Sequence, residues 1–174
     1  MTHAAPADVH DSNRDTYIVA RDAVRFEVRG LPVAQGSLRA FRTRGGYPVI
    51  TSTAKGLAAW RRLVADVAQR HAPPEPWDGP LAVELSFRLP KPKSAAKRKR
   101  WPDKRPDLDK LARAALDAIT HVVIRDDSHV VRLLAGKDYG PPGVVVTVVR
   151  LCPWCGLPRE HTPTRDCTGL EGRR

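Results

Sequence analysis

Five aspartates crowd the stretch RPDLDKLARAALDAITHVVIRDDSHV, residues 105–130: Asp107, Asp109, Asp117, Asp126 and Asp127. An ionised carboxylate offers only acceptor oxygens, and two of them 4 Å apart repel by about 4 kcal/mol at an effective dielectric of 20. A hard cation such as Mg²⁺ or Mn²⁺ relieves that repulsion and suits carboxylate oxygens with open positions. The surrounding chain is strongly basic, with 30 lysines and arginines against 19 acids and a net charge of +11. A metal beside a basic surface points to phosphodiester hydrolysis, in which the ion polarises a phosphoryl oxygen and acidifies a bound water.

The acids also have an ordinary reading. Asp107 follows Pro106 and can cap a helix, and Asp109 in the first turn favours the helix dipole. That accounts for two acids and leaves the Asp126–Asp127 pair unexplained. A helix over 107–120 is about 20 Å long. If the following HVVIR runs back along it, the Asp126–Asp127 turn approaches Asp107 and Asp109, and three carboxylates meet there. Arg113 lies four residues from both Asp109 and Asp117. It reads either as a surface ion pair or as a cation steadying the scissile phosphate. His121 and His129 are candidate bases, or else a helix-end cap and an exposed strand residue.

The elements that must position these groups follow from periodicity. VRFEVRG (24–30) alternates as a half-buried strand. The turn residues Pro32, Gly36, Gly45 and Gly46 follow, with a hairpin at Gly45–Gly46 and a short strand in YPVIT. Residues 53–72 predict a helix, with Leu57, Trp60, Leu63, Val64 and Val67 inward, Thr53 as its cap and Pro73–Pro74 as its stop. PLAVELSFRLP (80–90) is a strand with Leu81, Val83, Leu85 and Phe87 on one face. The helix of 107–120 turns Leu108, Leu111, Ala112, Ala115, Leu116 and Ile119 inward. HVVI, DDSHVVRLLAGKDY and GVVVTVVRL read as strand, turn-plus-strand and strand. The order β, β(β), α, β, α, β, β predicts an α+β domain, a small mixed sheet packed with two main helices. Residues 1–20 read as a disordered N-terminal segment, residues 21–150 as the domain and residues 151–174 as a tail.

Between two of these elements, residues 91–105 carry eight basic residues and one acid, a pattern of loop and not of core. Lys97, Arg98, Lys99, Arg100, Lys104 and Arg105 are candidate phosphate contacts, as are Lys110, Arg39, Arg42 and Arg44. Trp101 in the loop is either an anchor to the domain or a platform for an exposed base. The charge favours a nucleic-acid partner. No apolar run approaches the ~20 residues of a membrane span and no signal peptide is recognisable, so a cytoplasmic location is expected.

The tail holds all three cysteines. Cys152, Cys155, His161 and Cys167 have the types and spacing of a tetrahedral, structural Zn²⁺ site, with Pro153 and Gly156 in the tight turn. It resembles a zinc knuckle with longer later gaps, and knuckles are an added DNA or RNA contact. The alternative is three idle cysteines.

RPDLDKLARAALDAITHVVIRDDSHVV resembles the signature of the RusA family of Holliday-junction resolvases: aspartate-x-aspartate at a helix start, a later aspartate on the helix, and a double aspartate before a strand. VRFEVRGLPVAQGSLRA resembles the family's first strand and glycine-x-proline loop, so the likeness spans roughly residues 24–150. It implies a Mg²⁺-dependent (or Mn²⁺-dependent) homodimeric endonuclease resolving four-way DNA junctions in recombination and repair. Members are common in phages and prophages. The family's metal aspartates fall at Asp107, Asp109 and Asp127, with Asp117 and Asp126 in lesser roles. Its catalytic lysine falls at Arg113, which keeps the charge but does not readily give up a proton. Where the family has asparagine, this chain has Lys110. The competing functions are a non-catalytic nucleic-acid-binding protein and a metal-dependent nuclease of other branched substrates.

Overall fold

A computed structural model describes residues 23–158 apart from Ser37, Thr43 and Thr53, and for the hairpin strands it describes the backbone alone. The expected N-terminal disorder, Thr53, His161 and Cys167 lie outside the described residues. Four strands form one mixed sheet in the order β1-β6-β4-β5: β1 (Ala23–Arg29), β4 (Leu81–Leu89), β5 (Val130–Tyr139) and β6 (Gly143–Arg150). β4 and β5 run parallel, and the other neighbours are antiparallel. A separate hairpin pairs β2 (Leu38–Arg42) with β3 (Pro48–Ser52), as Gly45–Gly46 predicts. The α+β architecture with a mixed sheet and two main helices is the expected one.

The alternation in sequence is the cause of the layering. Val24, Phe26 and Val28 of β1 oppose Val148, Val146 and Val144 of β6, which oppose Val83, Leu85 and Phe87 of β4. All nine are buried on one face, beneath α1 (Leu57–Gln69) and α2 (Leu108–Ile119). On the other face Arg25, Glu84, Ser86 and Thr147 line a shallow hollow, and Ala82, Val149 and Leu151 form a small second buried cluster. Gly143 sits where β6 passes β1, and a Cβ there would lie 2.5 Å from the Val28 carbonyl oxygen.

Two expected boundaries move. α1 begins at Leu57, not near residue 53, because Gly56 takes a left-handed conformation (φ 82°) that starts the helix. HVVI is no strand. His121 sits just past the helix cap Thr120 with φ 65°, and its N–H donates to the Ile124 carbonyl at 2.7 Å. Val123 and Ile124 are fully buried, closing the helix end as a plug, and their apolar run imitates a strand.

A polar clamp fastens the helices. The Arg61 guanidinium on α1 donates to Asp117 on α2 and to Gln35 in the loop after β1. The Gln35 backbone N–H in turn donates to the Lys110 carbonyl at 3.0 Å. Asp117→Ala is expected to lower stability by about 1 kcal/mol, because it leaves a half-buried guanidinium short of its anionic partner. Urea denaturation followed by circular dichroism measures this, and an unchanged midpoint would contradict the clamp.

Candidate nuclease site

The parallel pairing of β4 and β5 dictates where the carboxylates go. Parallel neighbours need a crossover, and here α2 is that crossover, running back over strands that point the other way. Its start lies beside the ends of β4 and β5. Lys137, near the end of β5, donates from Nζ to the carbonyls of Lys104 and Pro106, both at 2.8 Å, which ties the strand end to the residue before Asp107. The end of α2 lies beside the strand starts, where Ile124 bridges both Thr120 and Trp77.

This overturns the expected convergence. The tight turn after α2 delivers Asp126 and Asp127 to the C-terminal end of the helix, and only β5 then runs back. Asp107 and Asp109 are thus separated from Asp127 by the helix length, about 18 Å for its 12 residues. Among the described residues, no group of three His, Cys, Asp or Glu side chains is placed to hold a metal ion.

Each acid has a distinct situation. Asp107 occupies the helix cap position, yet its side chain makes no capping hydrogen bond. It turns to Lys110, whose Nζ lies 2.9 Å from Oδ2. That bond first, then the charges of Lys110, Arg105 and Lys137, hold its carboxyl below the usual range. Lys110, expected on DNA, is therefore engaged in the site. Asp126 accepts from the Ser128 N–H at 2.8 Å and caps the short 3₁₀ turn Asp127–His129, which lowers its pKa. Asp117 belongs to the helix clamp. Asp109 and Asp127 are exposed, and among the described residues their carboxylates form no ion pair or hydrogen bond. Arg113 is likewise exposed. The expected ion pair with Asp117 is absent because Arg61 takes that carboxylate. The exposed carboxylates of Asp109 and Asp127, and that of Asp107 once freed of Lys110, have the chemistry that suits a hard divalent cation.

Of the histidines, His129 is no exposed strand residue. It is half-buried before β5, its Nδ1 3.5 Å from Asp78 Oδ1, while Arg125 also pairs with Asp78 at 3.3 Å. Sequence reasoning missed Asp78, which organises the turn bearing Asp127. A single acid in WDGP gives no signal of that role.

The basic segment is a loop held by its own lysines. Lys91 Nζ donates to the carbonyls of Lys97 and Lys99 at 2.8 Å each, and Lys137 fastens its far end. Lys99 pairs with Asp103 at 2.5 Å and is less available to phosphate than its neighbours. Lys97, Arg98, Lys104 and Arg105 form no ion pair among the described residues and remain the better phosphate contacts. Trp101 is 55% exposed under the Arg100 guanidinium, 4.9 Å from the ring centre, and borders a hollow on the open sheet face with Glu84 and Leu134. Arg44 is exposed, whereas Arg39 and Arg42 lie on the hairpin strand described by its backbone.

The tail begins as a folded turn. Leu151 is buried and donates to the Pro80 carbonyl at 2.9 Å. Cys152 N–H donates to the Leu157 carbonyl, Gly156 N–H donates back to the Cys152 carbonyl, and Gly156 adopts φ 70°. Cys152 and Cys155 flank this turn. The other two expected zinc ligands lie outside the described residues, so no zinc site is seen among the described ones. Among those residues, no helix is long and apolar enough to cross a membrane.

Comparison with known proteins agrees with the geometry of strand, helix and acidic turn. The chain is 32% identical over 139 residues to the uncharacterized protein YqaN of Bacillus subtilis (strain 168), an alignment covering 74% of this chain and 96% of that one. The family described as Endodeoxyribonuclease RusA matches residues 30–149, which include the basic loop, α2 and the acidic turn. The chain belongs to the RusA endodeoxyribonuclease family, a nuclease family of junction resolvases.

Proposed function

We propose that this protein is a homodimeric, Mg²⁺- or Mn²⁺-dependent endonuclease that resolves four-way DNA junctions in recombination and repair. The observation that carries the reading is the placement of its unengaged acids at the two ends of one exposed edge strand. β5 closes the sheet, and its Val131, Leu133 and Leu134 are 60%, 47% and 50% exposed. An apolar strand edge invites pairing with another strand. Antiparallel pairing of two β5 strands about a two-fold axis near their middle brings Asp127 of one copy toward the Lys137 end of the other. There Asp107 and Asp109 begin α2. The third carboxylate is thus supplied across the dimer, and two equivalent sites match the near two-fold symmetry of a four-way junction.

In this mechanism Asp107, Asp109 and the second copy's Asp127 would hold the cation, which would supply charge stabilisation at the phosphoryl group. Arg113, exposed one turn along α2 from Asp109, steadies the scissile phosphate without exchanging a proton. Lys110 keeps Asp107 ionised. The basic loop binds flanking phosphates. The tail adds a structural Zn²⁺ through Cys152, Cys155, His161 and Cys167, a reading supported by the cysteine-bearing turn already formed.

Three outcomes test this. Asp107→Asn, Asp109→Asn and Asp127→Asn should each lower junction cleavage in Mg²⁺ at least ~100-fold while binding survives. Stability should barely change at Asp107, since that side chain caps nothing. Near-parental cutting by all three variants would end the nuclease assignment.

Mixing the inactive Asp107→Asn and Asp127→Asn proteins discriminates the shared site. With carboxylates contributed across the dimer, each mixed dimer regains one intact site, so about a quarter of all sites recover when half the dimers are mixed. The readout is nicking of one strand without the paired cut. No recovery after proven subunit exchange would place the site within one chain.

Elemental analysis of protein purified without chelator should find one zinc per chain, lost in Cys155→Ser. Metal-free protein with freely reactive thiols would refute the tail assignment.

A further inference from the structure

Beside the start of α2 lies a cavity of about 420 Å³ that nothing above employs. The loop after β1 forms one wall, with Leu31, Pro32 and Ala34, and the basic segment forms the other, with Pro102, Lys104 and Arg105. Its remaining lining comes from the ends of β4 and β5, and it reaches Pro106, the residue before Asp107. The volume is within the ~300–1,000 Å³ of small-ligand sites.

Its chemistry is uneven in an informative way. Five of its lining residues are prolines, which have no N–H to donate. Such walls offer flat apolar faces and no backbone donor of their own. The Tyr139 ring adds an aromatic surface, and Lys91 Nζ lies 5.6 Å from its centre. Among the described lining residues the charged groups are Lys104 and Arg105, both cations, and Lys104 is fastened by its own carbonyl to Lys137. An apolar slot bordered by fixed positive charge, with no carboxylate among its described lining residues, complements a nucleotide: ring inside, phosphate outside.

We infer that this cavity receives one nucleobase displaced from the stack beside the scissile phosphate, and so sets which phosphate is presented to Asp107 and Asp109. This inference rests on the proposed nuclease reading. Displacing a base from a duplex is costly, and it costs least where pairing or stacking is already interrupted, as at the exchange point of a branched junction. The cavity therefore favours branched over continuous duplex, and the proline walls make it select by ring size more than by base edge.

The test places 2-aminopurine, whose fluorescence rises on unstacking, at each position around the exchange point of a four-way junction. Ca²⁺ replaces Mg²⁺ so that binding is read without cutting. Two variants fill the cavity: Leu31→Trp at its exposed rim and Ala34→Phe within. Leu31 is 59% exposed, so the first should fold as the parent does, which circular dichroism verifies. The expected result is a several-fold rise at one position with the parent protein, lost with both variants, while junction affinity stays near the parental value. In Mg²⁺ the variants should then cut at scattered phosphates. A parent that binds and cuts junctions with no rise at any position, or variants that keep both the rise and the parental cutting pattern, would overturn the cavity's role and leave the nuclease reading intact. A parent that neither binds nor cuts junctions would overturn both.

Discussion

The parallel pairing of β4 and β5 is the constraint on which the site depends. A parallel pair cannot be closed by a short turn, so the chain must cross over the sheet, and α2 is the crossover. Once that is so, the start and end of α2 belong to opposite edges of the layer. Asp107 inherits the strand ends, the Lys137 tie and the basic loop. Asp127 inherits the strand starts, the Asp78 cluster and the first turn of the tail. The helix clamp through Arg61, Asp117 and Gln35 then fixes the crossover in register, and Lys137 fixes the loop that leads into it.

Much of this was legible in the residues. The alternation in VRFEVRG and LAVELSF reported one covered face each, because those strands lie beneath the helices, and the apolar run GVVVTVVRL reported the strand β6 between them. The i, i+3, i+4 pattern of α2 likewise reported its buried side, and the Gly45–Gly46 pair reported the hairpin. The aspartates announced themselves by type and spacing, and the family likeness follows from the same residues.

What stayed hidden is direction and partnership. Periodicity says which way a side chain faces and nothing about which end of a helix a later turn will reach. HVVI was misleading because burial at a helix end requires the same apolar residues as burial in a sheet. Gly56 shifted a helix start because its left-handed backbone outweighs the helical pattern of its neighbours. Asp78 beside His129 is a contact made across loops, for which the local sequence carries no mark.

The division of the acids between the two ends of β5 has a consequence for control. If cutting requires both ends to meet across two chains, a lone chain is inert, and the rate at low abundance grows with the square of the amount made. A protein with this much positive charge will touch nucleic acid indiscriminately. Under the proposed two-chain site, dividing the blade between two molecules would let it do so without breaking strands until enough copies have accumulated to face one another on the same branch.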